Sequence, residues 1–161
     1  MGRDGALVNK RLARGCRCFA VWMGDDVAGY GWLSTGPEWI GELELEITPR
    51  GGEGYIWNCV TAHAYRRRGV FRSLLLSITA TAREERMRRM WIGSVAIPAE
   101  KAVSPSGFRP ALVFNSVALA GLRVMRIAAA PGADPTLASD AFRAVGSRPG
   151  ARVWRSRPRR H

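Results

Sequence analysis

The stretch that most constrains this chain is residues 55–76, YIWNCVTAHAYRRRGVFRSLLL. Tyr55 to Thr61 reads as a buried strand and enters a short loop. The loop becomes basic at Arg66, Arg67 and Arg68, turns at Gly69 and opens directly into a helical pattern. Phe71, Leu74, Leu75, Ile78 and Ala82 recur at helical spacing, so the helix over about 70–88 turns an apolar stripe to a core. Met90 to Ala96 then reads as a second buried strand. Strand, helix, strand predicts one parallel pair bridged by the helix. The loop has a chemistry of its own. The first amides of a helix lack intrahelical partners, and the helix dipole adds partial positive charge there. A phosphate at that point satisfies several donors at once. Glycine permits positive φ or close backbone approach, and successive amides in such a turn can form a concave nest. Arginines add permanently charged planar donors, although an arginine cluster also serves as an ordinary solvated face.

Around this unit the chain alternates short strands and turns. Leu7 to Arg14 reads as the end of a helix stopped by Gly15, and Arg17–Met23 with Val27–Ser34 as a hairpin around Gly24-Asp25-Asp26. Gly29, Gly31 and Gly36 point to a bulge or a close backbone neighbour. Trp39 to Thr48 alternates cleanly, with Leu43, Leu45 and Ile47 on one face and Glu42, Glu44 and Glu46 on the other. It is expected as one antiparallel strand, with Tyr55–Thr61 returning as its partner. A short helix is expected from near Pro98, ended by Pro105 and Gly107, then a hairpin of Arg109–Ala118 and Leu122–Ala128 around Ala120-Gly121. Residues 129–161 read as a basic Ala/Pro/Gly/Arg-rich tail, with one helix over Pro135–Val145 capped by Asp134 and disorder from Gly146. The fold class is α+β: a mixed, mostly antiparallel sheet with flanking helices.

Val60-Thr61 leading to Arg66-Arg67-Arg68-Gly69-Val70-Phe71 resembles motif A of the GNAT superfamily of acyltransferases, and Gly107-Phe108-Arg109-Pro110 resembles the end of that family's later helix. The resemblance spans about residues 17–128. It implies an acyl-CoA N-acyltransferase fold, with acetyl-CoA as co-substrate. The donor's pyrophosphate would lie on the 66–73 loop and its pantetheine arm in a gap where the parallel pair splays. Val60, Thr61, Arg66, Arg67, Arg68, Gly69, Val70, Phe71, Arg72 and Ser73 would hold the donor. Phe71 stands where the family has glycine or alanine, and Val103 where it often has a tyrosine acting as general acid. Ala96 and Ala99 replace a common asparagine and serine. The family's usual first strand and two helices are almost wholly missing. A sheet that begins near Arg17 has an uncovered edge, so the expectation is a homodimer, poor stability, or a natural start upstream of Met1.

The implied reaction moves a short acyl group from acyl-CoA to a primary amine of a small molecule or protein. It needs an oxyanion donor, for which a strand amide at about Val60 or Thr61 would serve, and a base acting directly or through one water. Residues 53, 55, 57 and 59 would share a strand face, which brings forward Glu53 and Tyr55, with Glu42, Glu44 and Asn58 as rivals. A hydrolase is a poor fit, since no nucleophile elbow appears and His63 falls in a loop.

Composition sets the competing reading. A chain of 161 residues, 47% hydrophobic and 24% charged, fits one ordinary globular domain. No apolar run is long enough to span a membrane and the first residues have no signal-peptide core, so no membrane partner and a cytoplasmic location are expected. Three cysteines without paired spacing and two histidines give neither a disulfide framework nor a metal site. The formal charge of +12 suits polyanions. Seven arginines after Asp140 place over half of it in the tail, where polyanion binding would be weak and non-specific. The alternative is thus a non-catalytic GNAT-like domain or a basic nucleic-acid-binding protein. The tryptophans at 22, 32, 39, 57 and 91 lie in or beside expected strands and are read as core rather than as base-stacking platforms.

Overall fold

The computed structural model describes residues 5, 7–94, 103–119 and 122–155. In chain order the elements are α1 (Val8–Ala13), β1 (Arg17–Met23), β2 (Asp26–Ser34), β3 (Glu38–Ile40), β4 (Leu45–Ile47), β5 (Glu53–Thr61), α2 (Val70–Glu84) and β6 (Arg89–Ile92). There follow β7 (Leu112–Leu119), β8 (Leu122–Ala129), α3 (Pro135–Ala144) and β9 (Gly150–Arg155). Two units result: Met1–Trp39 with Ile47–Phe108, and Ile40–Glu46 with Arg109–His161.

The first unit carries a sheet of order β1-β2-β5-β6. Met23 lies opposite Asp26, so β1 and β2 are joined by the two-residue turn Gly24-Asp25 with Gly24 at φ 63°. β2 is buried continuously from Ala28 to Ser34, as a central strand covered on both faces must be. β5 runs antiparallel to β2 and parallel to β6, from Glu53 opposite Arg89 to Ile56 opposite Ile92. That is the expected parallel pair, and α2 bridges it. Leu74, Leu75 and Ile78 of α2 pack with Leu33 and Ile56, with Phe71 and Cys59 at the margin. A second cluster of Cys16, Tyr30 and Trp32 gathers Val8 and Trp57. Val103 joins the α2 cluster, and Gly107, at φ 91°, ends the single helical turn Ser104–Ser106. The expected helix start near Pro98, with Ala96 and Ala99, lies outside the described residues, as does the turn at Ala120-Gly121.

The second unit is an antiparallel sheet β7-β8-β9 with α3. Asp134 caps α3 as expected, accepting from the Leu137 amide at 2.8 Å. Arg123 donates to the Glu42 carbonyl at 2.6 Å and pairs with Glu44 at 3.8 Å. No described helix is long and apolar enough to cross a membrane.

Four expectations are corrected. Trp39–Thr48 is not one strand and does not pair with β5. Its chain reverses over 41–44, with Glu44 at φ 50° and the Leu43 amide donating to Ile40, so only β3 and β4 are extended and they pair with each other. α2 ends at Glu84 rather than near Arg88, because Arg86 turns left-handed at φ 56°. Disorder does not begin at Gly146: residues 150–155 form β9, bonded to β8 from Ile127 opposite Gly150 to Leu122 opposite Arg155. Backbone pairing of this kind does not depend on apolar content. The proposed boundary at 128/129 accordingly falls inside β8. Trp22 and Trp39 are exposed, at 61% and 55%, whereas Trp32 and Trp91 are core. The register shift between Val21 and Trp22 lies beside Trp22 on a strand that, among the described residues, pairs only with β2.

Candidate acyl-donor site

The loop between β5 and α2 is anchored before it reaches its basic tip. The Ala62 amide donates to Ala28 at 2.9 Å, a single helical turn spans His63–Tyr65, and the Tyr65 hydroxyl donates to Asp26 at 2.6 Å. The Arg68 guanidinium lies 5.6 Å from the Tyr65 ring centre. Tyr65 and Asp26 carry no motif, and no local signal marks their pairing. Past them the backbone takes positive φ twice, at Arg67 (63°) and Gly69 (79°). A left-handed conformation is routine for glycine and costly for arginine. It lets the chain enter α2 abruptly, with open space where a Gly69 side chain would stand.

α2 begins with no side-chain cap and no acidic residue in its first turn. The Ser73 amide makes the first helical bond, to Gly69 at 2.9 Å. The preceding amides of the turn, through Arg72, therefore point outward without an intrahelical acceptor. Arg66, Arg67, Arg68, Arg72 and Ser73 are exposed around them, and among the described residues none of these four arginines forms an ion pair. Val70 is buried and Phe71 is half-buried against the α2 core, so the bulky residue at 71 fills core space rather than the loop. What remains on the outside is a turn of outward amides and exposed arginines, whose chemistry suits an anion.

β5 brings its own irregularity to this end of the sheet. Tyr30 faces Val60 but Trp32 faces Trp57, so Asn58 and Cys59 together oppose the single Gly31. Asn58 has φ 45°, which makes this a β-bulge of the left-handed kind. Gly31 and Gly29 permit it. A Cβ on Gly31 would stand 2.8 Å from the Cys59 sulfur, and one on Gly29 would stand 2.8 Å from both the Val60 carbonyl and the Val70 side chain. These are the close neighbours that the glycines of β2 foretold. The bulge also corrects the expected face. Trp57 packs with the Cys16–Trp32 cluster, whereas Cys59 packs with the α2 core, its thiol pushed up to about 12 by burial. Residues 57 and 59 therefore do not share a side. Val60 and Thr61 lie beyond the bulge, exposed and half-buried. Pairing of β5 with β6 ends at Ile56 and Ile92, after which Gly93 and Ser94 leave the strand. The parallel pair thus stops short of the last five residues of β5, on the side where the basic loop emerges.

The two candidate proton-handling residues have different surroundings. Glu53 is 2% exposed. It accepts from the Trp91 indole at 2.9 Å, the Arg88 guanidinium at 2.9 Å and the Arg50 amide at 3.2 Å, with Arg89 at 3.9 Å. Burial alone pushes its carboxyl up, but the Trp91, Arg50 and Arg88 bonds together hold it below the ordinary range. Both oxygens are engaged, at the end of β5 remote from the loop. A carboxylate held in this way is a poor proton acceptor, and the expectation of a base at Glu53 is set aside. Tyr55 is buried opposite Trp91, and its hydroxyl lies 3.5 Å from the position of a Cβ on Gly93, where β6 departs. Of the rivals, Glu42 and Glu44 belong with Arg123 in the second unit, and Asn58 forms the bulge.

Residues 4–104 match the model of the acetyltransferase (GNAT) family. Among solved structures, a Bacillus subtilis acetyltransferase in complex with CoA aligns over 74% of this chain and 76% of its own, with TM-score 0.53 and 20% identity. A Trypanosoma brucei acetyltransferase aligns over 71% and 75%, with TM-score 0.51 and 15% identity. An aminoglycoside acetyltransferase from an uncultured soil metagenomic sample, in complex with sisomicin, aligns over 74% and 76%, with TM-score 0.52 and 13% identity. At these identities the likeness is one of fold. No match was found among the curated proteins.

Proposed function

Because this chain belongs to the GNAT family of acetyltransferases, we propose that it transfers an acetyl or other short acyl group from acetyl-CoA to a primary amine of a small molecule or protein. The observation that carries this reading is the first turn of α2, uncapped, free of acids, opened by a left-handed Gly69 and ringed by Arg66, Arg67, Arg68 and Arg72. Acetyl-CoA supplies the activated acyl thioester when bound. The outward amides of the turn, through Arg72, and the Ser73 hydroxyl would hold its pyrophosphate, with the arginines neutralising the charge. The backbone of Val60 and Thr61, past the end of the β5–β6 ladder, would align the pantetheine arm and offer an amide toward the thioester oxygen. Tyr55 is the group on β5 proposed to pass on the amine proton, directly or through water. A chain whose β1 forms an edge among the described residues would also suit pairing with a second copy.

The test is release of free CoA thiol from acetyl-CoA in the presence of a panel of amines, from polyamines and aminoglycosides to lysine peptides. At least one amine should raise the rate above the amine-free background, and Tyr55→Phe should lower that rate about 10²-fold. Acetyl-CoA binding without turnover on any amine would favour a GNAT-like domain that binds without catalysis.

A further inference from the structure

We propose that Arg11 is a positioning residue for the donor site, acting through Asn58 to hold the β5 bulge in place. The inference rests on the reading of the Val60–Thr61 end of β5 as the place where the donor's arm lies. Arg11 is 7% exposed, on the short helix α1. Its guanidinium lies 4.5 Å from the Trp57 ring centre and 5.1 Å from that of Trp32, the two rings being 6.3 Å apart and inclined by 37°. It thus lies over residues of both strands that meet at the bulge. With the Asn58 amide turned so that both groups are satisfied, its oxygen accepts from Arg11 Nη1 at 2.7 Å and Nη2 at 3.0 Å. A planar fork that stacks and bonds at once is a property of arginine that lysine does not share.

What the fork holds is a conformation with a cost. Asn58 is left-handed at φ 45°, the bulge residue itself. The alternative is a regular ladder, in which β5 slips by one residue and every side chain past the bulge changes face. Val60 and Thr61 would then exchange sides, Cys59 would leave the α2 core, and the Ala62 amide would lose its alignment with Ala28. Arg11 reaches this point from α1, forty-seven positions earlier in the chain.

The test uses the full chain with Arg11→Gln, Arg11→Lys, Asn58→Gly and the Arg11→Gln/Asn58→Gly pair, because glycine adopts the left-handed conformation unaided. Two quantities are measured: acetyl-CoA affinity by calorimetry, and amide hydrogen exchange over residues 57–62 in the ligand-free protein. Arg11→Gln should weaken acetyl-CoA about tenfold and speed exchange over 57–62, with Arg11→Lys between it and the unmodified chain. Asn58→Gly alone should change neither, and in the pair it should return both to near the unmodified values. Arg11→Gln with unaltered exchange and affinity would overturn the proposal. So would a pair as impaired as Arg11→Gln alone, since Arg11 would then only fasten α1 to the sheet. If Arg11→Gln does not fold, recovery of folding by Asn58→Gly supports the role and continued unfolding overturns it. If the unmodified chain binds no acetyl-CoA, the functional reading fails while the exchange data still decide the role of Arg11.

Discussion

Glu53 shows how far a single residue can be taken from sequence. Its place on β5 beside Tyr55 suggested a base, and nothing local announced that Trp91, Arg88 and the Arg50 amide converge on it. Those partners come from a strand thirty-eight positions away and from a turn, so the network exists only once β5 and β6 are parallel. A depressed carboxyl contributes stability that is fully present above its ordinary value of 4.5 and lost as pH falls through its lower folded value. Glu53→Gln should therefore cost about 2 kcal/mol near neutral pH, through the weakened bonds to Arg88 and Trp91. Its deficit relative to the unmodified chain should shrink in strongly acidic buffer. Urea unfolding at several pH values measures both, and a deficit that grows on acidification would contradict this account. Gly29 is the opposite case, a residue whose meaning was legible. A glycine in a strand implied a close neighbour, and the Val60 carbonyl and Val70 side chain are there. Gly29→Ala should destabilise by about 1–3 kcal/mol through overpacking, measurable as a lowered midpoint in the same experiment.

At the scale of elements, legibility followed the kind of signal that ends or bends the chain. α1 and α3 stop where glycine allows, at Gly15 (φ 79°) and Gly146 (φ 56°), and both stops could be anticipated. α2 closes with the same bonds, Met87 to Ala82 at 2.8 Å and Arg86 to Arg83 at 2.9 Å, but around an arginine. No sequence signal marks such a turn, which is why the helix was expected to run on. Arg86→Gly should relieve the left-handed strain and raise stability by about 1 kcal/mol, seen as a thermal midpoint a few degrees higher. A lower midpoint would mean that the arginine side chain itself supports the turn. The hairpin β3–β4 was hidden for a related reason. Strict alternation over 42–47 fits an extended strand as well as a turn followed by three extended residues, and Glu44 in left-handed conformation decided between them. The β5 bulge was half visible, in the glycines of β2 but not in Asn58 itself. The order strand, loop, helix was legible because its signals are local (apolar run, basic glycine turn, helical stripe), whereas the end of α2 and the bulge within β5 were not.

The whole molecule joins a GNAT domain match over residues 4–104 to a carboxyl-terminal region that composition misrepresented. Its alanines, prolines and arginines suggested a solvated tail, yet β7, β8, α3 and β9 form a unit together with residues 40–46. Part of the positive charge ascribed to a free tail therefore belongs to a strand, since Arg152 and Arg155 lie in β9. A separate concentration of charge is the 66–72 cluster at the start of α2, and the proposed function depends on what that cluster binds. The most direct measurement is calorimetric titration of acetyl-CoA into the full chain beside Arg66→Ala and Gly69→Glu. Micromolar binding is expected for the unmodified chain, weaker binding for Arg66→Ala, and none for Gly69→Glu, whose carboxylate would enter the proposed anion site and whose backbone would resist the left-handed turn. Absence of binding by a folded unmodified chain, or equal binding by all three, would contradict it.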